Sequence, residues 1–392
     1  MKAKGRAIRS LVLAPFFNHK AISGRELLVS DVLTRFGAVD IVTTRFDHYT
    51  KSEKTLYQFN DARTVHYLPT VQYRHNVSLA RFLSHFVFSL RAVIFYLKRK
   101  QEYDVVYVTL PLNLLALLVF AAGSEKLKVA DVIDIWPDAL PFPPLAKKTL
   151  FPFFYLWKKS FARAVKSCDL LLTVSDWYLN ESVCFFSHAP FAAQRFYLGC
   201  SQLPRKAKQN EERLTIAYIG NIGHLYDFET LLASLAARPD KTRFFLIGDG
   251  DRKEWLLGEL ARLKLEYQYF GVVYHDEQLA EILAHCDIGF NGYQNTTAAF
   301  SYKATTYFSA GLPILNSMSG DLGRLVSDRG LGLNFIQGNL ASLLGCIDQC
   351  SRQSLAVFAR NVEVFFREEI DQEIIKKKLT DFIGGFIANR YI

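Results

Sequence analysis

The chain lacks the features that most quickly reveal a protein's class. Its six cysteines stand at 168, 184, 200, 286, 346 and 350, with no C-x-x-C pair and no histidine at zinc spacing. Neither a metal site nor a disulfide framework is signalled, and reduced thiols are the simpler reading. The longest smoothly apolar run, 114–122, falls well short of the roughly 20 residues that span a bilayer, so no transmembrane segment is expected. The basic N-terminus leads into a short apolar run, 11–17, without a small-residue cleavage site, and reads as a first strand rather than a signal peptide. No repeat of fixed period, no low-complexity tract and no recognised nucleic-acid-binding motif is present.

What is present is ample apolar material. With 392 residues, 50% hydrophobic and 22% charged, the chain can bury two ordinary domain cores. Its net charge of +9 is unevenly placed. Residues 1–200 carry 26 Lys and Arg against 15 Asp and Glu, a net of +11; residues 201–392 carry 21 against 23, a net of −2. The first half is therefore expected to meet an anionic surface.

Short apolar runs alternate with longer helix-periodic segments. In the first half "SLVLAPFF" (10–17), "VDIVTT" (39–44), "VVYVTL" (105–110), "KVADVIDI" (128–135) and "LLLTVS" (170–175) read as buried strands. In the second, "LTIAYIG" (214–220), "TRFFLIG" (242–248), "YQYFGVV" (267–273), "DIGFNGY" (287–293) and "GLPILNS" (311–317) do the same. Strand, turn and helix in repetition predict parallel sheets with crossover helices. The polar stretch 201–213 reads as a linker, so the expected domains are 1–200 and 214–365, with a C-terminal helix over 366–392 that packs back on the first.

Two glycine turns follow strands in the second half, Gly220-Asn221-Ile222-Gly223 and Gly248-Asp249-Gly250. Glycine lets backbone amides approach an anion, and a following helix N-terminus adds partial positive charge. Neither turn matches the dinucleotide or P-loop pattern, so each taken alone reads first as a structural turn and second as a phosphate cradle. Asp251 reads as an N-cap rather than a metal ligand. In "SYKATTYFSAGLP", Ser301 reads as an N-cap, 302–310 as a helix and Gly311 as its end. Lys303 then lies in the first turn, where the helix dipole disfavours a cation unless an anion shares the site. A solvated surface lysine is the alternative.

Taken in order, "AYIGNIG", "FFLIGDG", "YQYFGVV" and "SYKATTYFSAGLPILNS" resemble the nucleotide-sugar domain of family 4 glycosyltransferases, and "FFNHKAISGRELL" and "DVIDIWPDAL" resemble their N-terminal segments in the bacterial polysaccharide-assembly subgroup. The resemblance covers nearly the whole chain. It implies an α/β, GT-B architecture, two Rossmann-like domains facing each other across a cleft, and a retaining transferase that needs no metal and no cofactor beyond its nucleotide-sugar substrate, a UDP- or GDP-sugar. It implies a donor site at Gly220, Asn221, Gly223, His224, Gly248, Gly250, Gly271, Val272, Ser301, Tyr302 and Thr306, with Lys303 on the diphosphate. Asp134 is the implied catalytic carboxylate at the sugar, and Gly24 and Asp138 line the acceptor side. Where the family has a ribose-binding Glu this chain has Thr306, and the carboxylate expected eight residues earlier falls on Ala298. A hydroxyl does not clamp two ribose hydroxyls as a carboxylate does. The family's diphosphate-binding Arg and Lys fall on Asn221 and Tyr226, which leaves Lys303 as the main cation.

The segments 79–100 and 145–166 interleave large aromatics with Lys and Arg, which suits an anionic membrane interface as well as it suits a core helix with a basic outer face. With the +11 charge they point to a peripheral enzyme on the cytoplasmic leaflet that extends a lipid-linked saccharide in cell-surface polysaccharide assembly, with no nucleic-acid partner. The alternatives are a catalytically silent glycosyltransferase-like partner subunit and a GT-B-fold nucleotide-sugar epimerase.

Overall fold

The computed structural model describes residues 7–19, 24–48, 50–75, 78–137, 148–183, 192–204, 213–294 and 300–391. The chain divides into two compact units, Met1–Gly199 with Gln372–Ile392, and Cys200–Asp371.

The first unit is built on a seven-stranded sheet of β1 (Ile8–Leu13), β2 (Gly37–Thr44), β3 (Arg63–Leu68), β4 (Val105–Leu110), β5 (Leu127–Val132), β6 (Leu170–Thr173) and β7 (Ala192–Arg195). Every pairing is parallel, in the order β3-β2-β1-β4-β5-β6-β7. All six residues of β4 are buried, as expected of a strand covered on both faces by crossover helices. The order reverses beside β1, so the crevice between the carboxyl ends of β1 and β4 is the place where such sheets gather ligands.

On one face the helix Asn113–Ala122 packs between Leu79–Arg99 and Phe151–Lys166, and all three contribute to one core through residues such as Phe88, Tyr96, Phe120 and Phe161. On the other face lie Arg25–Thr34 and the C-terminal helix Gln372–Tyr391, whose Ile375, Leu379, Ile383 and Ile387 form a four-residue-spaced buried stripe. The C-terminal segment is thus divided: Phe366–Ile370 form a π-helical turn in the second unit, and the helix of the first unit begins at Gln372. The helix Leu79–Arg99, with the turn that follows it, is long and apolar enough by length and composition to cross a membrane. Its scattered basic residues hide this average apolarity from a reading of unbroken apolar runs, and the core helix of a soluble protein passes the same test. One side of it is part of the protein core.

The second unit carries β8 (Leu214–Asn221), β9 (Thr242–Asp249), β10 (Tyr267–Tyr269), β11 (Ile288–Asn291), β12 (Ile314–Asn316) and β13 (Gly332–Asn334). They form a parallel sheet in the order β10-β9-β8-β11-β12-β13. Its reversal lies between β8 and β11.

A buried ion pair anchors the first unit. Arg25 Nε donates to Asp131 Oδ2 at 2.7 Å, Arg25 Nη1 donates to the Phe196 carbonyl, and the Tyr107 hydroxyl donates to the same Asp131 oxygen at 2.6 Å. Both charged side chains are essentially inaccessible. Removing one partner strands a buried charge, at a cost of about 3–5 kcal/mol. Arg25→Met is therefore expected to destabilise the first unit by that amount in urea unfolding, and Arg25→Met with Asp131→Leu to recover much of the loss. A single variant as stable as the parent would show that the pair is not the anchor.

Candidate functional site

The site of the second unit starts from an interruption. β8 and β11 pair only at Ile216 with Ile288 and Ala217 with Gly289. Beyond that point the Tyr307 hydroxyl fills the gap, accepting from the Ile219 amide at 3.0 Å and sharing its proton between the Ala217 and Phe290 carbonyls, each at 3.2 Å. Its ring lies where any Cβ at position 289 would be, so Gly289 makes room for it. Tyr307 belongs to the helix Tyr302–Ser309, and its insertion fixes that helix over the reversal point.

One helical turn before Tyr307 stands Lys303, on the same face. Its side chain is buried, 8% exposed, inside three tyrosine rings: Nζ lies 3.2 Å from the Tyr226 ring centre, 4.8 Å from that of Tyr293 and 4.9 Å from that of Tyr218. It donates to the Tyr218 hydroxyl at 3.3 Å. Among the described residues no carboxylate pairs with it. Burial pushes the ammonium well below its ordinary value of 10.5. The rings present to it the faces that attract a cation, and the cause of the lowered pKa is desolvation.

Ser301 stands at the N-cap position with extended backbone, but its side chain does not cap the helix. The hydroxyl donates instead to Asn291 Oδ1 at 2.9 Å and lies 3.1 Å from the Tyr293 hydroxyl. This corrects the expected capping role: Asn291, itself buried, competes for the hydroxyl. Asn291 Nδ2 in turn donates to Asn316 Oδ1, and Asn316 Nδ2 to Asn334 Oδ1, at 2.8 and 2.7 Å. These three asparagines occupy one register line across β11, β12 and β13. Thr306 donates back to the Tyr302 carbonyl at 3.2 Å, and Tyr302 is exposed. Ala298 lies outside the described residues.

The glycine turns have structural employment. A Cβ at Gly248 would overlap the Gly220 carbonyl, and one at Gly250 would overlap the backbone of Ile222. Gly220 and Gly248 both have positive φ, 121° and 132°. The two turns are bound to each other by Ile222 N–H to the Asp249 carbonyl at 2.8 Å. Gly223 is buried and Asn221 exposed. The helix after the first turn starts only at Phe228, and its N-cap is Asp227, which accepts from the Thr230 amide at 3.3 Å. A carboxylate therefore holds that N-terminus. The helix after the second turn, Lys253–Arg262, is preceded by Arg252 rather than the expected Asp251. Asp251 stands instead 3.8 Å from the exposed His224. Gly271 accepts from the Gly248 amide at 2.7 Å, and Val272 beside it is exposed.

In the first unit, Asp134 lies just past β5. Its carboxylate accepts from the Ile135 amide at 3.0 Å, Trp136 Nε1 at 2.8 Å and the Tyr178 hydroxyl at 3.3 Å. Burial raises its pKa, and these bonds oppose the rise. Its oxygens are thus engaged in holding Trp136. Trp136 stacks on His85 with ring centres 5.4 Å apart and carries Arg81 at 4.7 Å over its face. Gly24 is the N-cap of Arg25–Thr34 with ordinary negative φ. Asp138 lies outside the described residues. Among the described residues no group of three or more His, Cys, Asp or Glu is placed to hold a metal ion.

Sequence reasoning missed the three tyrosines around Lys303 and the asparagine line. The signal was available in "FNGY", "ILNS" and "GLNF", where an apolar strand ends each time in Asn.

No protein-family model and no curated protein matches the sequence. Solved structures do match. HepE of Anabaena, solved with UDP and glucose, is similar with a TM-score of 0.66 over 96% of this chain and 100% of its own, at 16% identity. Sucrose-phosphate synthase of Thermosynechococcus elongatus gives 0.74 over 97% and 100%, at 12% identity. WaaG, a glycosyltransferase involved in lipopolysaccharide biosynthesis, gives 0.63 over 96% and 100%, at 14% identity. At these identities the likeness establishes the fold. The chain has the GT-B fold, and the resemblance seen in its sequence holds at that level.

The Lys303 amine has a stability consequence. Its folded pKa lies below the unfolded value of 10.5, so between the two the unfolded chain binds the extra proton and stability rises with pH. Lys303→Met is expected to raise the melting temperature of the second unit at pH 7, by a margin that narrows as pH approaches 10.5. A variant less stable than the parent, or a margin that ignores pH, would contradict the depressed pKa.

Proposed function

We propose that the protein is a retaining glycosyltransferase that moves a sugar from a UDP- or GDP-sugar to a lipid-linked saccharide in cell-surface polysaccharide assembly. The observation that carries this reading is Lys303, an uncompensated amine at the reversal point of the second sheet, where α/β folds bind their ligands. The fold supports it, as do the UDP and UDP-glucose held by HepE. WaaG's part in lipopolysaccharide biosynthesis supports the choice of acceptor class.

In this mechanism the bond from the anomeric carbon to the diphosphate oxygen breaks while the acceptor hydroxyl attacks from the same face. The hydroxyl proton passes to the leaving phosphate. Burial lowers the Lys303 pKa and an arriving diphosphate favours the charged form, so positive charge stands where negative charge develops and water does not screen it. Asp134 acts on the acceptor side by holding Trp136.

Lys303→Ala is expected to weaken binding of the matching nucleoside diphosphate by roughly 1.5–3 kcal/mol, the scale of a hydrogen bond to a charged group. Because the diphosphate favours the charged amine, binding by the parent is expected to weaken as pH rises, a dependence that the variant lacks. Equal affinity in the two proteins would return Lys303 to a structural role. One observation favours a second reading, the silent partner subunit: Tyr226 covers Lys303 at the place where the family has a second cation. Nucleotide binding without sugar transfer or hydrolysis would support that alternative.

We also place the protein at the cytoplasmic face of a membrane. Thirteen of the twenty-five exposed large hydrophobics among the described residues lie at 79–97, 114–118 and 150–156, on or beside three adjacent helices that contain no acidic residue. Exposed Arg91, Lys98, Arg99, Lys158, Lys159, Arg163 and Lys166 accompany them. Apolar area with basic residues suits an anionic lipid surface. Replacing Lys158, Lys159, Arg163 and Lys166 by Glu is expected to abolish sedimentation with phosphatidylglycerol vesicles. Undiminished sedimentation would refute the placement.

A further inference from the structure

Between the helices Leu79–Arg99, Asn113–Ala122 and Phe151–Lys166 runs a groove of about 410 Å³, walled by Phe82, Phe86, Phe153, Leu156 and Trp157. That volume is within the range of small-molecule sites. The aromatic contacts order its wall. Trp136 meets Trp157 at 6.0 Å between ring centres, and Trp157 meets Phe153 at 5.4 Å. Trp136 is 4% exposed, whereas Phe153 and Leu156 are 57% and 64% exposed. The groove therefore leads from the interior to the apolar outer face of the unit.

Its polar lining is His85, Ser89, Asn113 and Ser160, and the cations nearest to it stand behind its wall rather than in it. His85 lines the groove, is 9% exposed, and its Nε2 has no hydrogen-bond partner among the described residues. Such an orphaned buried nitrogen is uncommon and costly unless something else satisfies it. Arg81 lies over Trp136 at 4.7 Å and over Phe16 at 5.9 Å, and Lys51 lies over Tyr73 at 5.1 Å. Tyr73 also hydrogen-bonds His48 at 2.7 Å. Burial pushes the His85 imidazole down to about 3 and that of His48 to about 4, so both are neutral beside these cations.

We infer that this groove holds the hydrocarbon chain of the lipid-linked acceptor, with the chain along Phe82, Phe86, Phe153, Leu156 and Trp157 and the phosphate-bearing head toward Arg81 and His85. The inference deepens the proposed function and rests on it for the identity of the lipid. The polarity gradient argues for an amphiphile: a free anion has no use for the aromatic walls, and a neutral oil has none for Arg81 or the His85 nitrogen. Continuity with the exposed face lets a chain pass from a bilayer into the groove without crossing water.

The probe is dodecyl phosphate brominated on its chain, below its micelle concentration. Trp136 and Trp157 line the groove, and bromine quenches indole fluorescence on contact. Saturable quenching is expected, weakened at least tenfold in Phe86→Glu/Leu156→Glu, a variant at two exposed positions expected to keep the parent melting temperature. Inorganic diphosphate should compete poorly. Quenching that does not saturate, that survives the double substitution, or that inorganic diphosphate abolishes at equal concentration would overturn the inference. Transfer assays separate the two readings. Unimpaired transfer to a lipid-linked saccharide by the variant removes the groove from the mechanism and leaves the function standing. Saturable groove binding without transfer by the parent leaves the groove and removes the function.

Discussion

The second unit depends on one side chain inserted between two strands. β8 and β11 share only two register pairs before they part, and the backbone groups exposed by the parting need partners. Tyr307 supplies them, with one hydroxyl serving the Ile219 amide and the Ala217 and Phe290 carbonyls. Because the ring comes from the helix Tyr302–Ser309, closing the gap also sets that helix in place. Lys303 follows from this placement, one turn earlier on the same face and directed at the same crevice. The ligand-gathering position of the sheet and its basic residue are thus produced by a single packing event.

The two units treat a buried cation in opposite ways. Arg25 meets Asp131 in two contacts, and Tyr107 and the Phe196 carbonyl complete the arrangement. Such a group is satisfied and has no further chemistry to offer. Lys303 meets tyrosine rings and one hydroxyl, so its charged form is poorly supported by its surroundings. A lysine is suited to this because its pKa moves on burial, whereas a guanidinium stays charged. An anion entering the crevice would supply what the surroundings withhold.

How much of this was legible in the sequence depended on how far each residue's role was local. The ten strands read from apolar runs are present, because strands covered on both faces must be continuously apolar. β3, β7 and β13 escaped notice. "RTVHYL" carries Arg63 and His66, "AAQR" is short and half-buried, and "GLN" is three residues long; all three stand at sheet edges, where one side needs no covering neighbour. The expected caps at Ser301 and Asp251 went astray for a related reason. Cap propensity is a property of the chain, but Asn291 and His224 arrive from elsewhere in the fold. The tyrosines around Lys303 come from three separate segments, and only the sheet's topology brings them together.

The helix Leu79–Arg99 explains why composition alone left its role open. Its buried residues, Ser84, His85, Phe88, Ser89, Ala92 and Tyr96, fall on one side. Leu79, Leu83, Phe86, Leu90, Ile94 and Leu97 are exposed and, at about 100° per residue, fall on nearly the opposite side. A helix apolar on two sides resembles a membrane span when its residues are averaged, yet here one stripe belongs to the core and the other to the surface. A surface stripe six residues long costs solubility unless something covers it. The absence of any acidic residue from this helix and from its two neighbours is what the proposed anionic membrane surface would require, and it would disfavour a basic protein as the cover.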